Sequence, residues 1–115
     1  MIYICYKRCS TCKKVEDIMK DKNISYDLRE IDKENPTKEE LKKWHESSGL
    51  DIKKFFNTSG QNYRQMNLKD KLDTMSLDEK YELLATNGLL VKRPILLNGK
   101  DVYVGPQVKK YLESL

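Results

Sequence analysis

The chain has 115 residues and a mass of 13.6 kDa, one domain's length and enough to bury a core without disulfides or metal. Charged residues make up 35% and hydrophobic residues 38%, and the two interleave as on a folded surface, which excludes a disordered chain. The net charge of +4 is spread among acids, as in Lys38-Glu39-Glu40-Leu41-Lys42-Lys43, so no basic stripe is available for direct nucleic-acid binding, and no apolar run approaches the roughly 20 residues of a membrane span.

Met1 to Tyr6 is continuously apolar, with no charged leader region before it. It reads as a buried central strand rather than a signal peptide, and a cytoplasmic, monomeric protein is expected. Lys7-Arg8-Cys9 forms a loop. From Ser10 the spacing of Val15, Ile18 and Met19 predicts a helix that Asn23 ends. Ile24 to Ile31 alternates apolar and polar residues as a second strand, parallel to the first by the handedness of a βαβ unit. Thr37 with Glu40 and Ser76 with Glu79 are capping boxes, opening helices that stop at Gly49 and Gly88. Asp51 caps a short helix through Phe55-Phe56, so residues 37–88 read as entirely helical. Asn98-Gly99, between Pro94-Ile95-Leu96-Leu97 and Lys100 to Val104, is a hairpin signal. Val108, Tyr111, Leu112 and Leu115 then mark a last helix.

The order is βαβ, a helical block, then ββα. We read it as an α/β, thioredoxin-like fold with a mixed four-stranded sheet. Residues 1–115 form a single domain, with 37–88 as an all-helical insertion.

Cys9-Ser10-Thr11-Cys12 lies between the first strand and the first helix. Two cysteines at this spacing in a βαβ context read as a redox pair. A cysteine at a helix start meets unsatisfied amides and the positive end of the helix dipole, which favour an anion there. Lys7 and Arg8 add positive charge. Cys9 is therefore the expected nucleophile and Cys12, one turn along, the resolving thiol. A zinc site needs four ligands. Cys5, Cys9, Cys12 and His45 are all the chain offers, with Cys5 in a buried strand and His45 in the helical block, so neither metal nor cofactor is expected. Cys5 reads as a small hydrophobe, His45 as a helix-surface residue, and Trp44, Phe55 and Phe56 as core. Asn57-Thr58-Ser59-Gly60 with Tyr63-Arg64 reads as a turn-rich loop that could line the site. Arg93-Pro94 stands directly before the third strand, where Arg93 could present a fixed cation to Cys9 or to an anionic substrate.

These residues resemble the arsenate reductase-like (ArsC/Spx/MgsR) family of thioredoxin-fold proteins over essentially the whole chain. The markers are Cys9-x-x-Cys12, Pro36-Thr37-Lys38-Glu39-Glu40-Leu41, Phe55-Phe56-Asn57-Thr58-Ser59-Gly60 and Leu90-Val91-Lys92-Arg93-Pro94-Ile95. The resemblance implies a nucleophilic Cys9, a cis Pro94, and a substrate site that includes Arg8, Asn57, Arg93 and Pro94. Arsenate reductases of this family hold their oxyanion with three arginines. Arg93 matches one, whereas Asn57 and Gly105 stand where the other two are expected. Each charged contact is worth roughly 1.5–3 kcal/mol, so arsenate binding should be much weakened. The resemblance thus implies a thiol–disulfide oxidoreductase recycled by a low-molecular-weight thiol or a thioredoxin- or glutaredoxin-type reductant. The alternatives are a redox-switched regulator that binds the C-terminal domain of the RNA polymerase α subunit, as in the Spx branch, and an arsenate reductase.

Overall fold

In the computed structural model, which describes residues 1–115, the apolar N-terminus forms β1 (Ile2–Cys5) at the interior of a four-stranded sheet. The sheet order is β2-β1-β3-β4. β2 (Asp27–Glu30) runs parallel to β1, with Ile4 opposite Arg29. β3 (Ile95–Asn98) pairs antiparallel with β1, and β4 (Asp101–Val104) antiparallel with β3. This is the expected mixed sheet of a thioredoxin-like fold.

Side-chain alternation divides the core in two. Tyr3, Cys5 and Leu96 face α1 (Ser10–Asp21) and α6 (Pro106–Glu113), where they meet Cys12, Val15, Met19, Val108 and Leu112. Ile4, Ile95 and Val104 face the opposite way, against Leu41, Trp44, Phe55, Phe56 and Leu84. That second layer comes from the helical segment between β2 and β3. It contains α2 (Lys38–Ser48), α3 (Gln61–Gln65), α4 (Leu68–Lys71) and α5 (Leu77–Thr86), with 3₁₀ turns at Ile52–Phe55, Leu72–Thr74 and Gly88–Leu90. No helix is long and apolar enough to cross a membrane.

Both capping boxes form. Thr37 and Ser76 accept from the amides of Glu40 and Glu79, whose carboxylates return the bond to the cap amides. Gly49 ends α2 at φ 67°, where a side chain would be strained. The hairpin loop is Gly99-Lys100, one residue later than Asn-Gly would place it. Gly99 is the first central residue, at φ 62°, as a type II′ turn requires.

Three departures have physical causes. The second strand starts at Asp27, not Ile24, because Ile24 and Tyr26 are drawn against the α1 layer before pairing begins. β2 is also an edge strand, which leaves Leu28 53% exposed. Second, the helical block is interrupted. Phe56 bridges Val91 antiparallel, the Asn57 amide donates to Leu90 O at 2.8 Å, and the Lys92 amide donates to Phe55 O at 2.7 Å. Third, His45 is half-buried rather than open on the helix surface. Its Nδ1 lies 2.6 Å from the Tyr81 hydroxyl and its ring meets Phe55 edge to face, because α2 packs on α5.

Arg29 ties the sheet edge to α2. Its guanidinium donates to both Glu40 oxygens, at 2.7 and 2.9 Å, and lies 5.7 Å from the Trp44 ring centre. The hydrogen bond from Arg29 holds the Glu40 carboxyl below its ordinary value of 4.5, helped by the Thr37 amide. A depressed carboxyl contributes stability above that ordinary value, and the contribution disappears as pH falls through the folded value. Acid denaturation of the wild type should therefore steepen below about pH 4.5. Glu40→Gln should flatten that limb while lowering stability at neutral pH. An unchanged acid limb in Glu40→Gln would remove this pair from the account.

Candidate functional site

After Cys5 the chain turns through Tyr6, Lys7 and Arg8, and the Cys9 amide closes the turn by donating to Tyr6 O at 2.9 Å. Cys9 is the N-cap of α1 in extended conformation, at φ −84° and ψ 120°. Its carbonyl accepts from the Lys13 amide at 3.2 Å. No side chain caps the helix, so the amides of its first turn are left for a charge at this end. Cys12 sits in that first turn beneath Cys9 and is only 1% exposed, whereas Cys9 is half-buried. The pair therefore consists of one thiol that a substrate can reach and one that it cannot.

The electrostatics centre on Cys12. The neighbouring Cys5 thiol contributes most, the Tyr6 backbone, Cys9 and Tyr3 contribute further, and together these outweigh burial and draw the Cys12 thiol down to about 6. The Cys5 thiol is pushed up, by Cys12 beside it and by its own burial. Cys5 Sγ also approaches Glu16 Oε1 at 3.7 Å, and the Tyr26 hydroxyl fixes the other carboxylate oxygen at 3.2 Å. Tyr3 donates to Cys12 O at 2.8 Å across the same layer. Cys5 is thus more than the packed hydrophobe its strand position suggests: it is the third thiol of the site. Glu16, Tyr3 and Tyr6 were not anticipated either. A signal for Glu16 existed, since it lies four residues after Cys12 on the same helix face.

Arg93 reaches the loop before Cys9 through Tyr6. Its guanidinium covers the Tyr6 ring at 4.9 Å, and its Nη1 donates to Leu89 O at 3.2 Å. Its Nε is buried and has no partner. An unsatisfied buried donor on a fixed cation is a place for an acceptor to arrive. Tyr6 connects this arginine to the cysteines, because its carbonyl takes the Cys9 amide and its ring carries the guanidinium. The Arg93–Pro94 peptide is cis, and buried Pro94 accepts from the Gly105 amide at 2.8 Å. Asn57 is brought to the same side by the Phe56–Val91 bridge, with Ser59 on its Oδ1 at 3.4 Å and the Gly60 amide on its carbonyl at 3.0 Å. That is the expected turn. Arg8 is exposed and lines a separate hollow with Glu30, Asp32 and Lys33.

Gly105 adopts φ 58° and ψ −126°, a combination essentially confined to glycine. A Cβ there would lie 3.1 Å from Lys92 Cε. An arginine at this position would be strained by the backbone and would have to displace the Lys92 side chain.

The family model described as "ArsC family" matches residues 4–114 of this chain. Among curated relatives, the uncharacterised protein YusI of Bacillus subtilis is 46% identical over 95% of this chain and 92% of its own length. The regulatory protein MgsR of the same organism is 30% identical over 91% of this chain and 82% of its own length. Among solved structures, a putative ArsC family related protein from Bacteroides fragilis superposes with a TM-score of 0.90 at 47% identity, covering 96% of this chain and 95% of that one.

Proposed function

Because the chain belongs to the ArsC family, we propose that it is a cytoplasmic thiol–disulfide oxidoreductase in which Cys9 attacks and Cys12 resolves. The observation that carries this reading is the division of labour in the pair: Cys9 is accessible at the helix cap, and Cys12 is buried one turn below with its thiol drawn down. The Cys9 thiolate attacks one sulfur of a substrate disulfide. A Cys9–substrate bond forms, the substrate S–S bond breaks, and the other half leaves as a thiolate. Cys12 then attacks Cys9 Sγ, expelling the remaining substrate thiolate and closing a Cys9–Cys12 disulfide. The substrate gains two electrons and the protein loses two. A low-molecular-weight thiol or a thioredoxin- or glutaredoxin-type reductant restores them. Arg93 is the cation that would hold an anionic portion of the substrate through its unpartnered Nε, with Pro94 and Asn57 as its neighbours and Arg8 in its separate hollow outside this contact.

A Cys12→Ser variant tests the order of attack. It should accumulate a stable mixed disulfide on Cys9 when given an aromatic or glutathione disulfide, detected as an adduct on the intact chain. An adduct on Cys5 instead, or none, would sink the assignment.

A second reading is favoured by the likeness to MgsR, a regulatory protein. Here the same pair would be a redox switch for binding the RNA polymerase α subunit. Co-purification with the α C-terminal domain in only one redox state would support it, and no binding in either state would exclude it. Arsenate reduction is the weakest reading, because the backbone at Gly105 disfavours the arginine clamp expected there.

A further inference from the structure

Cys5 takes no part in the cycle above, yet it is built into its centre. It ends β1 on the same face as Tyr3, so its side chain points under α1 beside Cys12. Cys5 and Cys12 are buried in the same core layer, and Cys9 packs against it. A cleft of about 510 Å³ opens on Cys5 and Cys12 from the side of β2, with Glu16 and Leu28 in its wall and Cys9 outside it. The Glu16 carboxylate reaches Cys5 Sγ at 3.7 Å and is held there by Tyr26.

We propose that Cys5 is a second disulfide partner for Cys12, so that the oxidised chain exchanges its Cys9–Cys12 bond for a Cys5–Cys12 bond in the core. The proposal rests on the reading of Cys9 and Cys12 as a redox pair. The step needs no outside oxidant. Cys5 passes its proton to the Glu16 carboxylate, and its sulfur attacks Cys12 Sγ. The Cys5–Cys12 bond forms, the Cys9–Cys12 bond breaks, and the electron pair leaves on Cys9 as a thiolate. Cys5 is oxidised, Cys9 is reduced, and Cys12 stays in a disulfide throughout. The exchange stores the oxidised state beneath α1 and returns a free nucleophile to the exposed helix cap.

Two single variants and the wild type test this. Cys9→Ser, which keeps only Cys5 and Cys12, is treated with diamide and its free thiols are counted in denaturant. Both should be lost in a monomeric chain, with a Cys5–Cys12 peptide in the unreduced digest. Survival of both thiols, or pairing only between chains, overturns the proposal. Cys5→Ser under the same treatment reports on the Cys9–Cys12 pair. If Cys5→Ser closes its disulfide and Cys9→Ser does not, the third thiol alone is wrong. If neither closes, the redox-pair reading fails with it. In oxidised wild type, alkylation under denaturing acid should label Cys9 in some chains and Cys5 in others; label confined to Cys5 overturns the exchange. Glu16→Gln in the Cys9→Ser background should slow closure by about tenfold, and an unchanged rate removes Glu16 as the proton acceptor.

Discussion

Cys9→Ser should fold as the wild type does and lose disulfide turnover by at least about a thousandfold, because in the proposed cycle the group removed is the one that forms the first covalent bond. Cys9 stands at the N-cap of α1, half-buried, with its backbone fixed at both ends by the Tyr6 and Lys13 hydrogen bonds. Serine keeps that backbone and almost the same volume. It is a far weaker nucleophile at neutral pH, since its hydroxyl does not ionise there as a thiol does. The measurement is reductant-coupled turnover of a small disulfide, read beside circular dichroism to show that the variant is folded. Wild-type turnover by Cys9→Ser would transfer the nucleophile elsewhere. Cys12 could not simply replace it, because at 1% exposure a substrate disulfide does not reach its sulfur.

Gly88→Ala should cost about 3–5 kcal/mol, a large share of the roughly 5–15 kcal/mol that holds a domain of this size together. Gly88 is buried at the start of the 3₁₀ turn that leads to Val91 and Arg93. A Cβ there would overlap the carbonyl oxygen of Ile31 and would lie 2.8 Å from Asn35 Oδ1, which accepts the Gly88 amide at 3.0 Å. Ile31 is itself pinned, since its amide donates to Cys5 O at 2.9 Å. The obstacle is backbone at the end of β2, tied to β1 through Cys5 O, so relief by a side-chain rotation is not available. Denaturant unfolding should show a lower midpoint at an unchanged slope. A loss under about 1 kcal/mol would mean that the turn moves freely away from Ile31. Gly49→Ala is the internal contrast. Nothing lies within 4 Å of its Cβ position, so its expected cost is the strain of φ 67° alone, on the order of 1–2 kcal/mol.

The arsenate question turns on the same kind of reasoning. Arg93 is present and anchored, but the arginine that the family resemblance expects at Gly105 is disfavoured there by the backbone conformation, at φ 58°. Substitution alone does not restore it without cost, because a residue with a Cβ would strain that backbone.

What the sequence determined by itself is whatever depends on neighbours within a turn or a pleat. The alternation of Tyr3, Ile4 and Cys5, the capping boxes at Thr37 and Ser76, the glycine at the hairpin, and the Cys9–Cys12 spacing at a helix start all act over a few residues, so their outcome can be read along the chain. From these followed the central strand, the mixed sheet and the position of the Cys9–Cys12 pair. What only the tertiary structure decided lies between segments far apart in sequence. Arg93 is held on Tyr6, Asn57 is carried in by the Phe56–Val91 bridge, His45 is claimed by Tyr81, and Gly88 is pressed against Ile31. Cys5 belongs with these despite its short separation from Cys12, because the strand and the helix that bear the two thiols meet only when the layer packs. No periodicity announces such contacts. Each depends on closing a loop whose entropy is offset by the whole core rather than by the pair that meets.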